Sequence, residues 1–282
     1  GLYFDINKDN LTLDNNACAL IPRVAADSDV TIKNLAIDKM YIKHEASAGA
    51  FVGSQHAGAK LNINNCYAGK EIMLKACSTG VFRAYAKFAG AFLLSNCYSL
   101  ATTESSYKTD TTSTGNYNGL VGEMWEDQNT CVISSCYNAN GCISNFEDSE
   151  YYSNVFNCYQ TAEGGNYASG VTTISVENMQ GKDALTNASK MVALNAFGNY
   201  FVATDTYPAL SVFKGIAVSE IWDGTTSEPT ETDESGNILI HNGKELAWII
   251  SNGGVAGTTY KLTNNIYLNR KRSKLSPKQN KQ

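Results

Sequence analysis

Residues 49–67, GAFVGSQHAGAKLNINNCY, contain the pattern that decides the fold of this 282-residue chain. A glycine opens a short apolar run, and a Cys-Tyr pair follows, its cysteine seventeen residues after the glycine. The same offset occurs three more times, and Asn or Ser precedes each cysteine. The glycines are Gly49, Gly80, Gly119 and Gly141, and the cysteines are Cys66, Cys97, Cys136 and Cys158. Cys18 and Leu35 hold the equivalent positions once more, so the sequence contains five units.

The spacing of the units predicts how they assemble. Successive Cys-equivalent positions are 31, 31, 39 and 22 residues apart, which indicates a constant structural repeat with loops of variable length on one face. Alternation in KLNIN and CVISS predicts strands that place Leu61, Ile63 and Val132 on one face. Units this small cannot bury an apolar face alone, so equivalent strands should pair in parallel. The sequence therefore predicts an all-β fold, a parallel β-helix (solenoid) of about five rungs.

Composition and charge exclude several classes of protein. Only 17% of the residues are charged, and no apolar run approaches the roughly 20 residues that a membrane helix needs. Residues 1–269 carry a net charge of −11, which disfavours binding to nucleic acid. Residues 270–282 form a short basic tail that we expect to be disordered. Its basic residues are Arg270, Lys271, Arg272, Lys274, Lys278 and Lys281.

The repeated cysteines are best explained as buried free thiols, because interior positions of stacked rungs favour small apolar groups. A single disulfide and a metal site remain alternatives. Cysteines on adjacent rungs have parallel side-chain directions, which is a poor geometry for a disulfide. The histidines His44, His56 and His241 do not follow the repeat. We therefore predict neither a metal nor a cofactor.

The repeated tyrosines Tyr67, Tyr98, Tyr137 and Tyr159 allow two interpretations. Their rings offer flat apolar faces on which a sugar could stack, so they are candidate glycan contacts. They could equally form a structural ladder, which we favour. Because each follows an inward cysteine, each tyrosine should point the other way. The Asn before the cysteine is expected to be a turn residue whose amide bonds backbone groups at a corner.

The runs GAFVG and GLVGE, each followed by a strand that ends in Asn-Cys-Tyr or Ser-Cys-Tyr, resemble the GLUG-type repeats of bacterial extracellular proteins. The resemblance covers roughly residues 15–160 and implies a right-handed β-helix within a large secreted or cell-surface protein. GVFRA lacks the second glycine and GCISN lacks the apolar centre of the motif, so those rungs could be irregular. Since the chain begins at Gly1, we expect a fragment or a processed product.

The period stops after Tyr159, so we assign residues 1–175 to the β-helix and treat the rest as separate segments. Residues 176–215 should cap the open end of the stack, with a short helix that begins at Asp183 and carries Met191 and Leu194. Residues 216–269 resemble the starting cap of a second β-helix that is truncated, with a strand, a turn and a helix in ILIHNGKELAWIISNGG. The truncation would leave Leu262, Ile266 and Leu268 short of partners. An acidic loop there holds Asp223, Asp233 and Glu234, a weaker candidate for calcium.

An enzymatic role is the alternative to a purely architectural one. The acidic residues Glu123, Asp127, Glu147 and Asp148 could lie on one face as the carboxylates of a polysaccharide lyase or glycoside hydrolase. No Ser-His-Asp order, no H-E-x-x-H motif and no phosphate-binding glycine loop occurs. We therefore favour a non-catalytic extracellular or cell-surface protein, adhesin-like or scaffold, monomeric within a larger chain. Its expected partners are glycans or cell-surface proteins.

Overall fold

The computed structural model describes residues 17–87, 89–104, 118–125, 130–144, 154–162, 170–213, 225–263 and 266. Within these ranges the chain is mostly β, and its single α-helix lies near the C-terminus. The sheets of residues 17–173, which we call the repeat region, are parallel. The predicted β-rich fold with parallel strands is therefore confirmed.

The strands of the repeat region recur unit by unit. The first unit contains β1 (Ala17–Cys18), β2 (Ile21–Val24), β3 (Asp29–Lys33) and β4 (Ala36–Lys43). The second contains β5 (Ser47–Ala48), β6 (Val52–Gln55), β7 (Lys60–Asn64) and β8 (Tyr67–Lys75). The third contains β9 (Ser78–Thr79), β10 (Arg83–Lys87), β11 (Ala91–Ser95), β12 (Tyr98–Ser99) and β13 (Thr102–Glu104). The fourth contains β14 (Val121–Trp125), β15 (Thr130–Ser134) and β16 (Tyr137–Asn138). The fifth contains β17 (Val155–Phe156) and β18 (Cys158–Gln160), and β19 (Val171–Thr173) follows.

Each strand pairs in parallel with its equivalent in the next unit. The strand orders are β1-β5-β9, then β14-β10-β6-β2, then β17-β15-β11-β7-β3. A fourth sheet joins β4 and β13 to β8 and continues through β12, β16, β18 and β19. Register is constant between β7 and β11, so Leu61 lies beside Phe92 and Ile63 beside Leu94.

The inward faces of these strands form one core cluster, made of apolar side chains between Cys18 and Cys158. Leu61 and Ile63 belong to it, as predicted, but Val132 does not. Val132 lies beside Leu93, whose side chain is exposed, whereas its neighbours Cys131 and Ile133 are buried. The alternation in CVISS therefore begins at Cys131, one residue earlier than we predicted. Each fully buried Leu, Ile or Phe contributes about 1.5–3 kcal/mol.

The residue before each cysteine-equivalent position turns the chain at a corner. Its φ angle is positive in every unit, which is the left-handed conformation that asparagine tolerates better than most residues. These residues are Asn34 (56°), Asn65 (52°), Asn96 (51°), Ser135 (50°) and Asn157 (53°). The predicted corner is confirmed, but the amide of Asn65 bonds differently from our expectation. Asn65 donates from Nδ2 to Oδ1 of Asn34 in the preceding unit, at 3.1 Å, and not to the backbone.

Two of the opening glycines, Gly49 and Gly80, lie where neighbouring backbone atoms leave no room for a side chain. A Cβ on Gly80 would lie 2.1 Å from the carbonyl oxygen of Arg83 and 2.3 Å from the nitrogen of Gly122. At Gly49 the nearest atom would be the carbonyl oxygen of Val52, at 2.3 Å. A side chain at Gly49 or Gly80 would displace these backbone atoms, so both glycines have a steric cause, whereas a Cβ on Gly141 would meet only the side chain of Asn138, at 3.3 Å.

The two units that depart from the sequence motif behave differently. In GVFRA, the fully buried Ala84 replaces the second glycine, and β10 still pairs regularly with β6 and β14. In GCISN, Ser144 forms an isolated antiparallel bridge with Gly119, and the carbonyl of Ile143 accepts hydrogen bonds from the backbone N–H groups of Leu120 and Val121. The expected irregularity therefore occurs in the fifth unit and not in the third, because a buried methyl group still fits between the strands.

Residues 174–213, which we call the side segment, do not form the predicted helix. They contain 3-10 turns at Glu177–Met179, Val192–Asn195 and Ser211–Phe213, and an antiparallel pair of β20 (Phe201–Val202) and β21 (Ala209–Leu210). Asp183 caps no α-helix but accepts hydrogen bonds from Lys190 and Asn187. The buried side chains of the segment pack on the tyrosines of the repeat region, so the segment covers a lateral face. These residues include Met179, Ala184, Met191, Leu194 and Phe201.

Residues 225–266, which we call the C-terminal unit, contain β22 (Ile238–Ile240), α1 (Gly243–Asn252) and β23 (Tyr260–Leu262). The strands pair in parallel, and Asn242 caps the helix by accepting from the backbone N–H groups of Lys244 and Glu245. The strand–turn–helix pattern is as predicted, but the prediction that Leu262 and Ile266 lack partners is wrong, and Leu268 lies outside the described residues. Leu262 packs on the core cluster and Ile266 is only 5% exposed.

The crowding at Gly80 gives a prediction about stability. We expect Gly80→Ala to lower the free energy of unfolding by roughly 1–3 kcal/mol, because the new Cβ meets backbone atoms that cannot move independently. Urea denaturation followed by circular dichroism measures this change. Gly254→Ala is the matched control, since a Cβ there meets only Tyr260 at 3.6 Å, and equal losses in both variants would contradict the steric explanation.

Candidate functional site

The four tyrosines form a column on the outer side of the fourth sheet. Tyr67, Tyr98, Tyr137 and Tyr159 are in register from one unit to the next. The centroids of the first two rings are 4.9 Å apart with planes 7° apart, and the rings of Tyr98 and Tyr137 are also 4.9 Å apart, at 3°. This distance matches the spacing of paired strands, about 4.8 Å, so backbone register sets the stacking. The tyrosines lie outside the core cluster that holds the cysteines, as predicted.

The side segment covers most of this column. The ring of Phe201 lies 5.9 Å from that of Tyr137 and 6.3 Å from that of Tyr98. The hydroxyl of Tyr137 donates to the carbonyl of Pro208, and the backbone N–H of Ala193 donates to the Tyr159 hydroxyl at 3.1 Å. The three later tyrosines of the column are at most 6% exposed. A sugar has no access to rings stacked and covered in this way, so glycan contact is not supported at Tyr98, Tyr137 or Tyr159.

Tyr67, at the other end of the column, is only half-buried. Its hydroxyl donates to Oδ1 of Asp38 at 2.9 Å, and its ring meets Phe213 edge-on, with centroids 5.2 Å apart. Glycan contact at Tyr67 stays a prediction.

Burial controls the ionisation of the covered tyrosines. It raises the pKa of Tyr98 and of Tyr137 well above the ordinary phenol value, because the phenolate would lose its hydration. Both rings therefore remain neutral at physiological pH, and neither can act as a general base.

The cysteine column lies on the inward side of the same corner. The backbone N–H of Leu35 donates to Sγ of Cys66 at 3.5 Å, and that of Cys66 donates to Sγ of Cys97 at 3.4 Å. The thiols in turn donate to carbonyls two residues earlier, for example Cys97 to Ser95 at 3.1 Å. Burial raises the pKa of Cys97 and of Cys158 above the ordinary thiol value. These thiols are interior packing groups with weak local hydrogen bonds.

All eight cysteines of the chain are thiols in the structure. Seven are buried, and Cys77 is half-buried. Across the ranges given above, no three or more His, Cys, Asp or Glu side chains are arranged to hold a metal ion.

The acidic residues considered for catalysis are mostly beyond the described part of the chain. Glu123 belongs to β14, in register with Tyr85, while Asp127, Glu147 and Asp148 lie outside the described residues. Their predicted convergence on one face stays a prediction.

Asp233, proposed as a calcium ligand, closes the loop before β22. Its carboxylate accepts from the backbone N–H groups of Ser235 and Asn237, and from the side chains of Asn237 and Lys261. The hydrogen bonds from Asn237, and next that from Lys261, hold the pKa of Asp233 far below its usual range. Glu234 is exposed and Asp223 lies outside the described residues, so the structure assigns Asp233 to loop closure.

Arg83 is a buried polar residue that the sequence pattern did not predict. It is fully buried, and its Nη1 donates to Oε1 of Gln55 at 2.7 Å. Its guanidinium carbon lies 4.0 Å from the ring centroid of Phe92, a cation–π contact inside the core. Arg83 occupies the register position of Val52 and Val121, so the exception to an apolar column is the signal that could have identified it.

Comparison of the chain with family models, with curated proteins and with solved structures gave no match. In the described ranges, no helix has both the length and the apolar character required to cross a membrane. The resemblance to GLUG-type repeats therefore stays a prediction from the motifs.

The burial of the thiols predicts their reactivity. A thiol reagent of the dithiobis-nitrobenzoate type should titrate about one cysteine rapidly in the native protein and eight after denaturation, because seven are buried. Cys77→Ser should remove the rapid reaction. Fewer than eight reactive thiols after denaturation without reductant would instead support the disulfide alternative.

The raised pKa values also predict how stability depends on pH. Burial raises the pKa of Cys18 to about 12 and those of Cys97 and Tyr137 well above their ordinary values. Above about pH 9 the unfolded chain loses protons that the folded chain keeps, so the free energy of unfolding should fall as pH rises. Each group contributes a slope of up to roughly 1.4 kcal/mol per pH unit.

Urea denaturation between pH 8 and pH 11 (values set by the titration range of thiols and phenols, about 8.5 to 10) measures that slope under reducing conditions. Cys18→Ala should make the slope shallower by removing one titrating group. Stability that is flat across this range would show that the thiols and phenols ionise equally in both states, and stability that rises would show that they ionise more readily in the folded state; either result contradicts the prediction.

Proposed function

We propose that this chain is a right-handed parallel β-helix from a bacterial extracellular or cell-surface protein, with an adhesin-like or scaffold role and no catalytic step. The observation that carries the proposal is the parallel pairing of equivalent strands from successive units, in sheets that run through three to five units. A chain whose successive units pair in this way advances one strand spacing per unit, which is the defining geometry of a solenoid.

The roles of the repeated residues support a non-catalytic function. Gly49 and Gly80 permit close contact between backbone atoms, the Asn residues turn corners, the cysteines fill the interior and the tyrosines pack against the side segment. The residues that carry the resemblance to GLUG-type repeats are therefore accounted for by architecture. A structural motif that recurs along the chain extends the protein and enlarges its surface, as a stalk or an adhesin requires.

An extracellular location is compatible with the thiols. Oxidising compartments convert accessible cysteines into disulfides or other oxidised forms. Seven of the eight cysteines are shielded from such reactions by burial.

The partner proposed here is a glycan. Binding a glycan requires exposed aromatic surface, which the covered tyrosines Tyr98, Tyr137 and Tyr159 do not offer. The side segment supplies it, because Phe197 is 63% exposed and Tyr200 is 37% exposed. Asn195 holds the loop that carries them. Its Nδ2 donates to the backbone carbonyl of Phe201 and its Oδ1 accepts from the backbone N–H of Phe201, both at 3.0 Å. A rigid loop loses little conformational entropy on binding, which favours contact with a flat apolar sugar face.

A glycan array tests the proposal and separates it from the enzymatic alternative. We expect the wild-type protein to bind at least one class of glycan, and the double variant Phe197→Ala/Tyr200→Ala to bind about tenfold more weakly, equivalent to about 1.4 kcal/mol. Val255→Ala, at another exposed apolar residue, is the control and should bind normally.

Bound glycans should also be recovered uncleaved. Release of reducing ends or unsaturated products would support a polysaccharide-degrading enzyme that uses Glu123, Asp127, Glu147 or Asp148. A folded protein that binds no glycan would contradict the glycan contact and leave a structural spacer.

A further inference from the structure

The C-terminal unit contacts the interior of the repeat region, although more than sixty residues separate its first strand, β22, from the last repeat strand, β19. Ile250 of α1 and Leu262 of β23 pack on the core cluster. Every other member of that cluster lies between Cys18 and Val171. The contact therefore joins two parts of the chain that are distant in sequence.

The position of this contact follows from burial within the cluster. Core side chains of the second and third units, such as Leu61 and Phe92, are completely buried between neighbouring units. The cluster members of the repeat region that are only partly buried are Ile21 and Val30 in the first unit, and Val171 after the fifth. A distant segment can reach the interior only where no further unit covers it, at an end of the array.

The ends of the array are also where backbone groups lack a repeat partner. Strands β2 and β3 are the outermost strands of their sheets among the described residues, each pairing on one side only. Edge strands with an apolar interior behind them pair readily with other chains. Two copies that meet head to tail would extend the array indefinitely, because such contacts do not close.

Local hydrogen bonds hold the C-terminal unit together. Asn242 caps α1, Glu245 accepts from the backbone N–H of His241 at 2.6 Å, and Asp233 bonds Lys261. These contacts hold the start of the helix at the end of β22, and they join β23 to the loop before β22.

We propose that the C-terminal unit is an end cap that packs on the repeat region of its own chain and prevents end-to-end association with a second copy. This inference rests on the parallel β-helix that is part of the proposed function. It assigns to the C-terminal unit a contact that inhibits self-association. The partner that it excludes is a second copy of this chain, because only a matching array offers the same strand spacing and interior.

The full-length double variant Ile250→Asp/Leu262→Asp tests the cap, and Val255→Asp, at a residue 66% exposed, is its matched control. Light scattering after size-exclusion chromatography, over about a hundredfold range of concentration, measures self-association. We expect the wild type and the control to be monomeric and the double variant to form oligomers whose mass rises with concentration. Monomers of the double variant at every concentration would overturn the proposal.

Hydrogen exchange separates association through the ends from general unfolding. Amides of β6, β7, β10 and β11 should stay protected in the double variant, because these strands are inside the array. Loss of that protection would mean that the oligomers are aggregates of unfolded chains, which also overturns the cap.

A second set of substitutions identifies the associating surface. Adding Val30→Lys and Val171→Lys to the double variant should restore the monomer, since charges at both ends prevent stacking. Oligomers that persist would contradict association through the ends. A failure of the proposed function would be detected separately, because it would change glycan binding on the array and not the molecular mass measured by light scattering.

Discussion

The parallel hydrogen bonding of each unit to the next is the constraint on which the rest of this structure depends. Where register is constant, as between β7 and β11, each position of a strand lies beside the equivalent position of the neighbouring unit. A requirement at one position then recurs in neighbouring units. The glycine whose Cβ would meet a carbonyl oxygen at about 2 Å, the asparagine with positive φ and the interior thiol are three such requirements. The sequence repeats because the same backbone geometry recurs in successive units.

The corner between the third and fourth sheets produces two columns that face opposite ways. Cysteines pack inward, and the tyrosines that follow them stack outward at 4.9 Å. An outward column of aromatic rings is apolar surface that has to be covered. The side segment covers it with Met179, Met191 and Phe201, and with a hydrogen bond to the Tyr137 hydroxyl. The tyrosines thus bind the side segment of the same chain. The side segment itself carries exposed aromatic residues, Phe197 and Tyr200.

The C-terminal unit uses the same parallel pairing with a helix between its strands. Its local order comes from a capped helix and from Asp233, whose carboxylate is held by Asn237 and Lys261. Its apolar residues Ile250 and Leu262 pack on the core cluster, which agrees with the proposed role of the unit as an end cap. Terminal capping units are a general requirement of repeat arrays, because they cover the apolar interior and the free strand edges.

The sequence by itself determined the five units, the parallel strands, the opposite directions of Cys66 and Tyr67, the corner at Asn65 and the helix after Asn242. These features follow from period-two alternation, turn chemistry and capping, which act between residues close in the chain. Only the tertiary structure decided that residues 183–195 form turns instead of a helix, that Arg83 lies in the core, and that Leu262 meets the repeat interior. Those outcomes depend on surfaces that exist only after the units have assembled, and no local pattern specifies which distant segment will cover them.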